Sequence, residues 1–249
     1  LILASGDNFG DDAISIDKVN KQFKIGAISE VRMGAKQSQI SLLHWGYKEI
    51  FEKKDVDCVF AVGGLVIGKP TRTLLPDALI TDPDELVAYV VKNFPRSDKF
   101  KTHIISGKNE LSWGKTKDGL DVISAICKAR DDLKKVAGAD EGELEKNFNV
   151  KGVTIKAAAH FEDNSPKSVS NGPQNIANRL TKDNKSKNSP LPDILLVGGT
   201  HRRSFFFYNG MYIVTLASLH TQMRRQVARK VSVYVGCAIL ELNYNPDWT

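Results

Sequence analysis

The chain is poor in the residues from which most metal and redox sites are built. It has three cysteines and five histidines in 249 residues. Cys58, Cys127 and Cys237 are widely separated and odd in number, and no Cys-x-x-Cys pair occurs. That pattern argues against a structural zinc site and against a disulfide framework. Free thiols in a reducing compartment are the simplest account, and no signal-peptide pattern is visible, so a cytoplasmic, non-secreted setting is expected. No apolar run is long enough to cross a membrane. Repeats are missing too, apart from a weak echo of Leu1–Gly10 in Ile25–Gly34. The chain opens at Leu1 without a methionine, inside an apolar run. Residues 1–23 are therefore expected to be a truncated N-terminal segment ahead of a single domain over 24–249.

A hydrophobic content of 41% is enough for a substantial core. The net charge of +6 permits an anionic partner without requiring one. Apolar runs alternate with helical patterns through the first half. Strands are expected at 24–29, 57–62 and 101–106, and helices at 38–54, 82–93 and 119–129. Asp82-Pro83-Asp84-Glu85 is a helix start, with an Asp cap and Pro at the first helical position. Such alternation gives a mainly parallel sheet. In the second half, 142–159 reads as a strand pair, 173–180 as a helix, and the polar stretch 181–192 as a mobile loop. A strand follows at 194–197. Asn209-Gly210 then sets a hairpin between 205–208 and 211–216, and a long last strand is expected over 231–242.

Five glycine-bearing landmarks carry the chemistry: Ser29-Glu30-Val31-Arg32-Met33-Gly34, Gly63-Gly64-Leu65-Val66-Ile67-Gly68, Ser106-Gly107-Lys108-Asn109-Glu110, Ala159-His160 and Gly198-Gly199-Thr200-His201. Four of them directly follow an apolar run. The second nearly matches a phosphate-binding GxxxxGK[ST] loop. Pro70, however, stands where the magnesium-binding hydroxyl belongs, and it removes a backbone N–H.

In order and spacing the landmarks resemble the calcineurin-like metallophosphoesterases, whose motifs run D-x-H, G-D-x-x-D/G, G-N-H-D/E, a lone His and G-H-x-H. The likeness covers 24–242. It implies an α/β sandwich of two mixed β-sheets flanked by helices, with one site at the strand C-termini. It also implies two divalent cations, manganese for example, that activate water against a phosphoester. The ligand positions depart from that pattern. Glu30 and Arg32 stand at D-x-H, Gly64 replaces the bridging aspartate, and Ile67 the second acidic residue. Lys108 replaces the ligand Asn, and Asn109 takes the place of the His that protonates the leaving group. Glu110 and His160 are kept; Gly199 has lost one His and His201 keeps the other. Candidate metal ligands are thus His160, His201 and Glu30.

Arg32 and Lys108 are candidate anion-binding residues, and whether they reach the site or point to solvent is open at this stage. The resemblance then implies a catalytically impaired domain acting as a binding or structural component, in an assembly with protein or nucleic acid. An active metal-dependent phosphoesterase with an atypical single-metal site is the alternative. A third possibility is an interaction module using Phe205-Phe206-Phe207-Tyr208. His44 and His103 are expected to be structural and Trp45 and Trp113 to pack. His220 is expected to be a solvated loop residue within reach of the site. Two basic clusters, Arg202-Arg203 and 223–230, are expected to be solvated, the second forming a loop.

Overall fold

Asp82 caps its helix as its sequence context requires: its carboxylate accepts the backbone N–H groups of Asp84 and Glu85. The same agreement between local pattern and structure runs through most of the chain. The computed structural model describes residues 22–115, 119–137, 144–150, 152–159 and 170–243. The strands are β1 (Gln22–Ile28), β2 (Cys58–Val62), β3 (Lys101–Ile105), β4 (Leu133–Ala137), β5 (Glu145–Val150), β6 (Val153–Ala158), β7 (Ile194–Val197), β8 (Ser204–Tyr208), β9 (Met211–Thr215) and β10 (Ala238–Asn243). The helices are α1 (Ile40–Trp45), continued by a π-helical stretch Gly46–Glu52, then α2 (Pro83–Asn93), α3 (Lys108–Gly114), α4 (Val122–Ala129), α5 (Asn171–Lys187) and α6 (Arg224–Ala228).

Two five-stranded sheets form, ordered β10-β1-β2-β3-β4 and β5-β6-β7-β9-β8. Both are mixed. β1 to β4 are parallel with β10 antiparallel at one edge, while the second sheet is parallel at β6-β7-β9 and antiparallel at its rims. The sheets pack face to face through Phe23, Ile25, Phe60, Ile105, Phe148, Ile155, Leu196 and their neighbours. The outer face of the first sheet is covered by helices through Leu43, Phe51, Leu86, Ile104 and Ile126. The outer face of the second is covered by α5 through Ile176, Ala177 and Leu180. The result is a four-layer α/β/β/α sandwich, the architecture that the resemblance implies.

The Asn209-Gly210 hairpin forms with both residues at positive φ, 52° and 82°. Several expectations need correction. The polar stretch 181–192 is helical as far as Lys187, since α5 is nucleated by its buried Ile176–Leu180 face and each further residue then adds a backbone bond. It stops at Asn188, which is left-handed, two residues before Pro190. The last strand is shorter than its apolar run. Only Ala238–Asn243 pairs with β1, while Val235 makes an isolated bridge to Ser218. β4 and α3 have no counterpart among the expected elements. Trp45 is 53% exposed, whereas Trp113 is buried and donates its indole N–H to the Ile67 carbonyl. His44 is exposed and bonds the Asn93 carbonyl.

His103 lies buried in β3, beside Phe60. Burial, and then the nearby charges of Lys134 and Lys101, push its imidazole down to about 4. The unfolded chain therefore takes up this proton first. The stability tied to a neutral His103 is complete above pH about 6.5 and is lost as pH falls toward about 4. Urea denaturation across that window is expected to show stability falling with a slope contribution of about 1.4 kcal/mol per pH unit. His103→Gln is expected to reduce the slope by that contribution and not to abolish it, because His220, also held down to about 4, titrates in the same window.

Candidate functional site

The loops that leave β1, β2, β3 and β7 at their C-termini meet at one end of the sandwich, where Ala159 at the end of β6 joins them. Gly198 is why they fit. A Cβ on Gly198 would lie 1.9 Å from the Val62 carbonyl oxygen, so only glycine lets the end of β7 abut the end of β2. Ser29, just past β1, completes the join: its hydroxyl donates to the Val62 carbonyl and accepts the Gly199 N–H. Glu110 ties the remaining loops. Its buried carboxylate accepts the N–H groups of Gly107 (2.7 Å), Val66 (3.0 Å) and Gly64 (3.3 Å). Burial pushes its pKa up, and those backbone donors work against the shift.

Between these loops lies a cavity of about 420 Å³. Glu30, Arg32, Gly64, Lys108, Asn109, Ala159 and His201 line it, together with Arg225 and Arg229 from α6 and its cap. His160 lies outside the described residues. The other sequence-derived candidates are thus gathered at one place. Lys108 is exposed at the rim, and Arg32 is largely buried, with 13% of its side chain accessible.

Arg32 does not point to solvent. Its Nε donates to Glu30 Oε2 at 2.5 Å. The same oxygen lies 3.8 Å from Nδ1 of His201 and 4.0 Å from Nε2 of His220. Burial alone would raise the Glu30 pKa. The Arg32 guanidinium, and then His201 and His220, outweigh it and hold the carboxyl at about 2. The two imidazoles move the other way. Burial lowers His201, and burial followed by Arg32 lowers His220 to about 4, so both are neutral at neutral pH.

The local backbone is strained where these side chains originate. Glu30, Arg32 and His201 have φ of 50°, 56° and 56°, a left-handed conformation that costs a residue with a Cβ about 1–2 kcal/mol. Backbone bonds hold it in place: Glu30 N to Gly63 O, Arg32 N to Gly64 O, and Leu219 N to Glu30 O.

His220 corrects the sequence reading. It is fully buried, edge-on to the His201 ring with centroids 5.2 Å apart. Its position is set by the bridge between Ser38 and His220 and by Leu219 O accepting from Gln39 N. The basic cluster 223–230 is not a loop but contains α6, and the four-residue spacing of Arg225 and Arg229 puts both on the cavity. That spacing was the available signal. For His220 the only signal was its place just beyond the hairpin.

The residues present do not fit a two-metal centre. Gly64 and Gly63 have φ of 67° and 66°, and a Cβ on Gly64 would lie 2.3 Å from Glu30 Oε1 and 2.9 Å from Glu30 Cα. Glu30 thus fills the space a bridging carboxylate would need.

No protein-family model matches the chain, and no curated protein matches it. Solved structures similar to it include Vacuolar Protein Sorting 29 from Cryptosporidium parvum, at 13% identity and a TM-score of 0.46, covering 90% of this chain and 87% of that one. GAP50, the anchor in the inner membrane complex of Plasmodium, is similar at 12% identity and a TM-score of 0.47, covering 89% and 81%. A novel archaeal phosphodiesterase is similar at 12% identity and a TM-score of 0.43, covering 78% and 82%. Likeness at this level says nothing of activity or ligand. Among the described residues no helix is long and apolar enough to cross a membrane.

Proposed function

We propose that this domain is a phosphoesterase-like sandwich whose hydrolytic site has become an anion-binding site, and that it acts as a binding or structural component. One observation carries the reading: the Arg32 guanidinium is bonded to Glu30 inside the loop cluster, where the resemblance puts a metal ion. A guanidinium presents fixed charge and several N–H donors, so it attracts a phosphate without activating water. Lys108, Arg225 and Arg229 line the same cavity, so four cations face it against the Glu30 carboxylate. Asn109, at the position of the leaving-group acid, has no proton to give at neutral pH. Among the described residues, hydrolysis of a phosphoester finds neither a ligand set for paired cations nor that acid. Ligands of this chemistry carry a phosphate group, and a nucleic-acid backbone is one of them.

Calorimetric titration of metal-free protein with inorganic phosphate tests the reading. Saturable binding is expected, weakened about tenfold or more by Arg225→Ala with Arg229→Ala, since each phosphate contact from a cation contributes about 1 kcal/mol or more. Heats indistinguishable from dilution would contradict it.

A second reading is favoured by the β8–β9 surface. Phe205 and Phe207 are 70% and 59% exposed, and Phe205 stacks on Tyr212 with rings 5° from parallel. Exposed aromatics of this density mark protein-binding surfaces.

A further inference from the structure

His220 belongs to none of the five landmarks, yet among the described residues it supplies a ligand atom already prepared for a metal. Its Nδ1 lies 2.6 Å from the Thr221 carbonyl, an acceptor only, so Nδ1 carries the proton and Nε2 the lone pair. That Nε2 is buried and has no hydrogen-bond partner among the described residues. A backbone carbonyl on the far nitrogen is also how ligating histidines are usually oriented. Nε2 faces Glu30 Oε2, and ligand atoms of Glu30, His201 and His220 all lie within 4.8 Å of one another.

The geometry points to a binding site for one borderline divalent ion of the zinc class on Glu30, His201 and His220, occupied in exchange with Arg32. Two neutral imidazoles and a carboxylate are a donor set that zinc takes. Bonds of about 2.0–2.1 Å in tetrahedral geometry put ligand atoms about 3.3 Å apart. The 3.8 and 4.0 Å separations from Glu30 Oε2 would have to shorten, and His201 Nδ1 would give up its 2.9 Å hydrogen bond with the Ser218 hydroxyl to take the ion.

Arg32 holds the same oxygen at 2.5 Å, so ion and guanidinium compete for it. Arg32 lines the cavity of about 420 Å³. Metal uptake would then free its donors toward a bound anion. A lone ion here lacks the second cation that clamps a leaving oxygen in a two-metal centre. The inference is independent of the phosphate reading, which is tested on metal-free protein.

Cobalt(II) is the probe, because its visible absorption reports ligand number and geometry. One equivalent per chain with a tetrahedral spectrum is expected for the wild type. Arg32→Gln is expected to bind about tenfold or more tightly, and His220→Ala about tenfold or more weakly. Since a buried variant can fail to fold, the wild type is also titrated with zinc and followed by nitrogen NMR of the imidazoles. The rings of His201 and His220 should shift together while those of His44 and His103 do not. No saturable uptake by either the wild type or Arg32→Gln would overturn the proposal. So would uptake unchanged in His220→Ala, or zinc shifts that bypass His220.

Discussion

Arg32→Met is expected to lower the free energy of unfolding by about 3–5 kcal/mol at pH 7, the cost of leaving a buried carboxylate without its partner. Glu30 and Arg32 expose only 5% and 13% of their side chains, so little water reaches the stranded charge. His201 and His220 offer no replacement cation, because burial keeps both neutral at that pH. The loss should shrink on acidification. In the wild type the carboxyl is held at about 2, so its contribution is present above about 4.5 and is lost only as pH falls through about 2. Without Arg32, burial dominates and the carboxyl protonates more readily in the folded chain. The double variant Glu30→Gln with Arg32→Met is expected to recover part of the loss, because it removes both charges. Guanidinium denaturation of the four members of this cycle measures the coupling. A single variant within about 1 kcal/mol of the wild type would mean that the pair is a surface contact.

The second large effect concerns Gly64. Restoring the aspartate of the family pattern there is expected to destabilise the fold by about 3–5 kcal/mol and to bring in no second metal. Part of the cost is conformational, since φ is 67° at this residue. The rest is steric, because the new Cβ meets the Glu30 carboxylate at 2.3 Å and its Cα at 2.9 Å. Shortening the neighbour separates the two terms. Gly64→Asp with Glu30→Ala is expected to regain stability relative to Gly64→Asp alone, although the backbone strain remains. Thermal denaturation of both variants, with metal content measured by mass spectrometry, checks this. A Gly64→Asp chain as stable as the wild type and loaded with two metals would show that the loops reshape freely.

The frame of this site was readable in the sequence because it rests on local rules. Apolar runs ending in Gly63-Gly64, Gly107 and Gly198-Gly199 mark strands that deliver loops to one end of a sandwich. Asn209-Gly210 and the Asp82 cap needed no tertiary information at all. The pairing of Arg32 with Glu30 was not readable, because both lie two residues apart in a strained loop whose path depends on Gly63 and Gly64 carbonyls. His220 was hidden for a similar reason. It sits 190 residues after Glu30, and only the Leu219–Glu30 and Ser38–His220 backbone contacts carry it inside. β4 was missed because its centre, Lys134-Lys135, is polar, as suits a strand at a sheet edge. The extra length of α5 was missed because helix propagation past a nucleus needs no apolar residues.

The central claim is that a guanidinium has replaced catalytic metal at the end of the sandwich. Turnover of bis(p-nitrophenyl) phosphate by the purified protein with saturating manganese tests it most directly. The account predicts no hydrolysis above the protein-free rate. Hydrolysis by the wild type that disappears in His201→Ala would contradict it.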